Sequence, residues 1–371
     1  MTHFTGLPFD TEQMISGLSL WVETESPGID PHSVNKVIDL AVYDLATMGA
    51  TIERIPGRMG FADSLRACVN PSAACEPGIL ICCHADTVHE TGSLASMPYR
   101  REGDYLWGPG IASMKAGLYT CLESVRKIMQ HGLSFNLPVT FLIVSDKECG
   151  CPSTRELIEA TANNNKYVLI PETTERAQTV YSGRHAQQRF KLDVKVDSIS
   201  IRNHSASSIT EMARHIVAID TMNSDDYRFK VGAIRSGQWV NFAETCTAEV
   251  IVDADTSAGI EEGYKKMMAL NSPNPDKGLH VNRSVLLPVW QSQASYLQDT
   301  YSQVADSMDL TLNAVTARGC SLANIAGGSG VETLDGLGVV GTGMQSRAER
   351  IRIDSLTVRA KMMAGLLTSL R

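Results

Sequence analysis

The chain reads as an α/β protein, a mostly parallel mixed sheet with helices on both faces, interrupted by a smaller inserted α+β domain. Three observations predict this. Short, wholly apolar runs alternate with segments of helical periodicity, polar residues stand just past the ends of three strands, and from about residue 183 to 295 the texture shifts to period-two alternation. With 371 residues, 43% hydrophobic and 20% charged, the chain can bury a substantial core and is expected to form two domains.

The elements follow in order. Residues 11–23 and 33–48 place apolar side chains at helical spacing. Gly78-Ile79-Leu80-Ile81-Cys82-Cys83 is a short apolar run ending at His84, the pattern of a buried parallel strand. A helix over 115–131 leads to the strand Val139-Thr140-Phe141-Leu142-Ile143-Val144-Ser145, which delivers Asp146, Lys147 and Glu148 at its C-terminal end. A helix over 152–163 precedes the strand Tyr167-Val168-Leu169-Ile170, which delivers Pro171 and Glu172. Open α/β sheets place their sites at such strand ends.

Within the insertion, 188–196 alternates with period two, a helix covers 207–222, strands are expected near 228–235, 239–242 and 246–253, and a helix over 257–270 precedes a strand near 279–287. That βαββαβ order suits a small sheet covered by two helices. Residues 296–371 return to mixed helix and strand and end in a helix over 354–370. The expected organisation is a discontinuous α/β domain, 1–182 with 296–371, and an inserted domain, 183–295.

A formal charge of −8 and a pI near 5.6 argue against a nucleic-acid or anionic-membrane surface. The N-terminus lacks a charged region followed by an apolar run, and no stretch approaches the ~20 apolar residues of a membrane span, so the expectation is a soluble cytoplasmic protein. Nine cysteines suit free thiols there, since an odd number cannot all pair. Cys149-Gly150-Cys151 is too tight for a zinc ribbon.

His84-Ala85-Asp86-Thr87-Val88 sets a histidine and a carboxylate two apart, so that Asp86 can turn back and orient the imidazole. Glu148 and Glu172, at two further strand ends, can reach the same crevice. A histidine with two carboxylates is a reasonable zinc set, and ordinary polar strand ends are the alternative that spacing leaves open.

These residues resemble the zinc-dependent aminoacylase, glutamate carboxypeptidase and succinyl-diaminopimelate desuccinylase group along nearly the whole chain. His84-Ala85-Asp86-Thr87-Val88 is similar to its first ligand motif. The segment from Trp107 to Gly117 is similar to the second, which carries a metal-bridging Asp before Met114-Lys115. Asp146-Lys147-Glu148 followed by Gly150 is similar to an Asp-Glu-Glu motif, and Pro171-Glu172-Thr173 to a Glu-Pro-Thr region. The resemblance implies a zinc-exopeptidase-like fold whose inserted domain is a lid and a homodimerisation surface. It further implies that His204 polarises a scissile carbonyl in the partner's site, that Asn241 binds substrate, and that Arg283 binds a substrate carboxylate. Structural alternatives are that His204 caps the helix over 207–222 and that Arg283 is a solvated strand residue.

The departures from the family pattern carry as much weight. Ser113 stands in place of the bridging Asp, Lys147 in place of the general-base Glu, and Gln345, just before Glu349, in place of the last histidine ligand. Two zinc ions ~3.5–4 Å apart need an anionic bridge, which serine cannot supply. His84 and Glu172 could hold one zinc ion weakly, or none is bound. Ser113 and Gln345 then become substrate-facing positions. Lys147, beside Glu148 and Glu172, is expected to stay protonated, to stand in for a metal's charge and to stabilise an oxyanion or anchor a carboxylate. Gly327-Gly328-Ser329-Gly330 lacks an Asp found in the family and runs almost directly into Val331, which shortens a helical segment. Cys149 and Cys151 adjoin the altered motif, and a thiolate there could draw on Lys147 and on a helix starting near Pro152.

Three readings follow. The first is an enzyme acting on an amide or amino-acid-derived substrate without an intact binuclear zinc centre, through condensation, cyclisation or acyl transfer in specialised biosynthesis, with Lys147, Glu148, Asp86 and His204 as its catalytic group. The second is a carboxypeptidase or amidohydrolase of N-acyl amino acids with unusual zinc ligands. The third is a catalytically silent binding relative.

Overall fold

The computed structural model describes residues 4–69, 77–197, 207–237, 243–274, 276–292 and 295–371. Two helices open the chain, α1 (Thr11–Glu23) and α2 (Pro31–Thr47). Each is capped by an aspartate: Asp10 accepts the Gln13 N–H at 2.9 Å, and Asp30 accepts from His32 and Ser33 ahead of a proline at the first helical position. Strands β1 (Thr51–Ile55), β2 (Ser64–Val69) and β3 (Gly78–His84) follow, then the short β4 (Arg100–Glu102) and β5 (Tyr105–Trp107). Helix α3 (Ala116–Gln130), β6 (Val139–Val144), α4 (Arg155–Asn163), β7 (Asn165–Ile170) and β8 (Thr179–Arg184) complete the first half.

The second half holds β9 (Ala186–Lys195), α5 (Ser208–Asp220), β10 (Tyr227–Ser236), β11 (Thr245–Ala254), α6 (Ser257–Met268), β12 (Gly278–Leu287) and β13 (Trp290–Gln291). It continues through α7 (Tyr296–Asp306), β14 (Asn313–Ala317), α8 (Ala323–Ala326), β15 (Glu332–Asp335), β16 (Gly341–Thr342), β17 (Arg350–Arg352) and α9 (Asp354–Ser369).

The chain divides into two compact units, one of residues 1–183, 291–317 and 321–371, the other of 184–290 with 318–320. In the first, nine strands form a mixed sheet in the order β1-β2-β6-β3-β7-β15-β8-β13, with β14 also paired to β8. The central pairs β6-β3, β3-β7 and β7-β15 are parallel, whereas β1-β2 and β2-β6 are antiparallel. Every residue of β3 is buried, as a strand covered on both faces requires. Its core joins Leu18, Ile38 and Leu45 of the first helices to Ile81, Phe141 and Leu169 of the sheet. Each such side chain contributes ~1.5–3 kcal/mol on burial. Helix α3 is buried along almost its whole length and packs on α9, where the Ser124 hydroxyl donates to Ala360 O at 3.0 Å.

In the second unit β10-β11-β9-β12 is fully antiparallel, and Phe190, Leu192 and Val194 of β9 alternate inward against Met212 and Ile219 of α5 and Ile260 and Met267 of α6. The expected strand at 239–242 lies outside the described residues. Among the described residues, no helix is long and apolar enough to cross a membrane.

Candidate active site

Because β6, β3 and β7 are adjacent and parallel, their C-terminal ends lie side by side, and each ends where its apolar run gives way to polar residues. His84 closes β3. Its Nδ1 lies 2.9 Å from the Asp86 carbonyl and 3.2 Å from Asp86 Oδ1. The same carboxylate accepts the backbone N–H groups of Lys147 (3.1 Å) and Glu148 (2.8 Å). One aspartate therefore orients the imidazole and ties the loop after β6 to the end of β3. Hydrogen bonds to a charged acceptor of this kind contribute ~1.5–3 kcal/mol each.

Asp146 is spent on that loop's own architecture. It accepts from the Ser153 N–H at 2.7 Å, the Ser153 hydroxyl at 2.8 Å and the Thr154 hydroxyl. Burial outweighs these bonds and holds its carboxyl above the usual range.

Lys147 spans two strand ends. Its Nζ lies 3.4 Å from Glu148 Oε1 and 3.2 Å from Glu172 Oε1, and all three side chains are less than a tenth exposed. Gln345 donates its Nε2–H to the other oxygen of Glu148 at 2.6 Å. It does so from a left-handed backbone, φ +62°, which is uncommon outside glycine. The amide thus turns a donor to Glu148. A carboxylate can only accept, so it selects the amide's N–H end. His84 Nε2 lies 3.9 Å from Glu148 Oε1 and, among the described residues, has no hydrogen-bond partner.

Ser113 sits in a π-helical turn, Ile111–Lys115, that leads into α3. Glu349, fully buried, accepts the backbone N–H groups of Gly110 (3.1 Å), Ala112 (2.8 Å) and Ser113 (2.6 Å), and faces His89 Nε2 at 2.6 Å. The turn is entered through Gly110 at φ +75°, where an added Cβ would come within 2.5 Å of Thr87 Cγ2. Lys115 is buried at the end of the turn and donates to Thr24 O at 2.6 Å. Burial pushes its pKa down to about 7, against the opposing pull of Glu349 and Glu25.

Contacts link six of the residues expected from the sequence: His84, Asp86, Lys147, Glu148, Glu172 and Gln345. Ser113 is buried on the turn that Glu349 holds. Arg283 belongs to the other unit, where its guanidinium stacks 4.5 Å from the Tyr264 ring centroid. His204 and Asn241 lie outside the described residues.

The helix expected from residue 152 begins at Arg155, and the Ser153 N–H ahead of it is already engaged by Asp146. Cys151 is buried at φ +58°, and burial beside Asp146 pushes its thiol well above the usual range, which opposes a thiolate there. Sequence reasoning missed His89 and the buried Lys115. His89 and Glu349 are 260 residues apart, and no local spacing signals their pairing.

A parallel-centred sheet carrying a histidine and acidic residues at adjacent strand ends defines an α/β zinc-exopeptidase fold. Residues 80–369 match the model of peptidase family M20/M25/M40, and the chain belongs to that family of zinc metallopeptidases. In sequence it is similar to carboxypeptidase G2 of Pseudomonas sp. (strain RS-16), 38% identical over 96 residues that span 26% of this chain and only 23% of that protein. Human carnosine dipeptidase 1 superposes with a TM-score of 0.76 at 12% identity, covering 98% of each chain. A tripeptidase from Staphylococcus aureus does so with a TM-score of 0.75 at 16% identity, covering 98% of this chain and 99% of its own. A metallo-carboxypeptidase from Sulfolobus solfataricus gives 0.73 at 12%, covering 97% and 99%. At such identities the likeness to these structures is one of fold.

Proposed function

We propose that the chain is an enzyme acting on an amide or amino-acid-derived substrate, with the Lys147 ammonium in place of one of the two metal charges its family uses. The supporting observation is the pairing of Lys147 Nζ with both Glu148 (3.4 Å) and Glu172 (3.2 Å). The residues present do not fit a two-zinc centre. A bridging carboxylate is replaced by Ser113, Gln345 turns an N–H toward Glu148, and a lysine cation occupies the space between the remaining carboxylates. Among the described residues, no group of three or more His, Cys, Asp or Glu is disposed to hold a metal ion.

In this reading Lys147 stabilises the oxyanion that develops when an acyl carbon is attacked, and it does not deprotonate water. Condensation, cyclisation or acyl transfer to an amine is the chemistry such a site serves. The inserted unit acts as lid and homodimer surface, His204, Asn241 and Arg283 contribute to substrate binding, and the enzyme works in the cytoplasm.

A hydrolase carrying a single zinc on His84 and Glu172 is the second reading, favoured by His84 Nε2, which has no hydrogen-bond partner among the described residues. Elemental analysis separates the two, combined with product analysis on N-acyl amino acids, amino-acid amides and esters, with and without chelator. The expected result is at most one zinc per chain, turnover that survives chelation, and a loss of at least about 100-fold in Lys147→Ala. Two zinc ions per chain with chelator-sensitive hydrolysis would overturn the proposal.

A further inference from the structure

The second unit carries a cavity of about 240 Å³ where β9 and β10 begin and β11 ends. Every residue lining it belongs to that unit, including Arg318 and Gly319 of the short segment 318–320. One side is a cross-strand row in which Gln187 of β9, Asp253 of β11 and Arg228 of β10 stand in register. Both oxygens of Asp253 are engaged, one by the Gln187 amide at 2.9 Å and the other by Lys230 Nζ at 2.6 Å. The Gln187 carbonyl oxygen accepts from Cys320 Sγ at 3.5 Å, which fastens the segment 318–320 to the sheet. Gly319, at φ +84°, turns the chain between Cys320 and Arg318.

Most of the other charges on the cavity wall are paired. His185 Nδ1 lies 2.8 Å from Asp255 Oδ1, and Arg228 reaches Asp225 at 3.4 Å. Two groups of opposite sign are left over. Among the described residues, Arg318 has no carboxylate partner, and the Asp226 carboxylate has neither a cation nor a hydrogen-bond donor. A simple anion placed here meets the aspartates of the wall, and a simple cation meets Arg318. A molecule carrying a carboxylate and an ammonium a few bonds apart answers both, since a guanidinium matches a carboxylate in a planar fork and a carboxylate accepts ammonium N–H groups. The volume is below the ~300–1,000 Å³ of sites for drug-sized ligands, which limits the ligand to about the size of one amino acid.

We propose that this cavity of the second unit binds a free α-amino acid, with Arg318 taking its carboxylate and Asp226 its ammonium. The site shares no residue with the group around Lys147, so it goes beyond the catalytic reading and does not depend on it. The paired charges hold the wall in place, and the two leftover charges select a zwitterion.

The test is calorimetric titration of the full chain with glycine, L-alanine and L-serine, each compared with its amide and its N-acetyl form. At least one free amino acid is expected to bind, and its two modified forms to bind at least about tenfold more weakly, since one lacks the carboxylate and the other the ammonium. Arg318→Gln and Asp226→Asn alter exposed side chains and should each weaken binding by a similar factor without lowering the melting temperature. If a variant melts early, hydrogen exchange on the unaltered protein locates the ligand instead, and residues 224–227 and 317–320 should be slowed when it binds. Failure of all three amino acids to bind, equal binding of an amide or N-acetyl form, undiminished binding in either variant, or exchange unchanged in both segments overturns the site.

Discussion

Gln345 and Glu148 are joined by a 2.6 Å hydrogen bond in which the amide donates and the carboxylate accepts, although they are 197 residues apart. The bond occupies one oxygen of Glu148 while Lys147 attends the other at 3.4 Å. Glu148 is therefore a carboxylate held by protein donors on both sides.

On the proposed reading, placing a carboxylate, a general base and an imidazole at three positions should reverse this. Ser113→Asp, Lys147→Glu and Gln345→His combined are expected to raise zinc content toward two ions per chain, read by elemental analysis after dialysis. A triple variant that folds and still holds no additional zinc would show that these positions are misassigned.

Removing the cation alone should be costly. Lys147→Met leaves Glu148 and Glu172 facing one another with no positive charge between them, and breaking a buried pair of this kind costs ~3–5 kcal/mol. Denaturant unfolding at neutral pH measures it. A loss under about 1 kcal/mol would mean that the pairing is weaker than its geometry implies.

Glu349→Gln should loosen the turn that carries Ser113. Its carboxylate accepts three backbone N–H groups besides facing His89. An amide presents one oxygen and brings an N–H pair into a cluster of donors, so a loss of ~2–3 kcal/mol is expected. Hydrogen exchange at residues 110–115 should accelerate, and unchanged exchange there would count against the assigned role.

Lys115 gives a pH dependence with a definite sign. Its pKa falls from 10.5 in water to about 7 in the fold, so between these values the unfolded chain binds more protons. The buried ammonium therefore costs stability below about pH 7, and the cost is relieved as pH rises toward 10.5, at up to about 1.4 kcal/mol per unit. Comparing unfolding midpoints of the protein and Lys115→Met from about pH 6.5 to 9.5 checks this. The variant should gain most on the acid side. A difference that does not change with pH is the contrary result.

Gly117→Ala tests the approach of α3 to the loop that carries Glu172. Alanine normally favours a helix by ~1 kcal/mol over glycine. Here its Cβ would lie 2.0 Å from Pro171 O, a backbone atom that cannot step aside alone. Net destabilisation of ~1–3 kcal/mol is expected by thermal melting, and a stabilised variant would contradict the close approach.

Residue pattern alone was enough to show the alternation of buried strands and helices. The apolar runs before His84, Asp146 and Pro171 are read from short windows, as is the period-two pattern of 188–196, because strand and helix periodicities are local properties. Element ends were legible within a few residues. The helix expected from 115 begins at Ala116 after a π-helical turn, and the one expected from 152 begins at Arg155. Those shifts arise where a side chain elsewhere claims the backbone, Glu349 at the first and Asp146 at the second.

The identities of Ser113, Lys147 and Gln345 are matters of sequence. Which atoms they engage was decided by tertiary structure. The order β6-β3-β7 brings Lys147 to Glu172 across the width of β3, a left-handed backbone turns the Gln345 amide to Glu148, and a fold-wide closure sets Glu349 against His89 and the Ser113 turn. Composition and spacing specify what a residue can do within its own element. Hydrogen bonds and ion pairs act over about 3 Å between elements, and their partners exist only once the strands have been ordered in space.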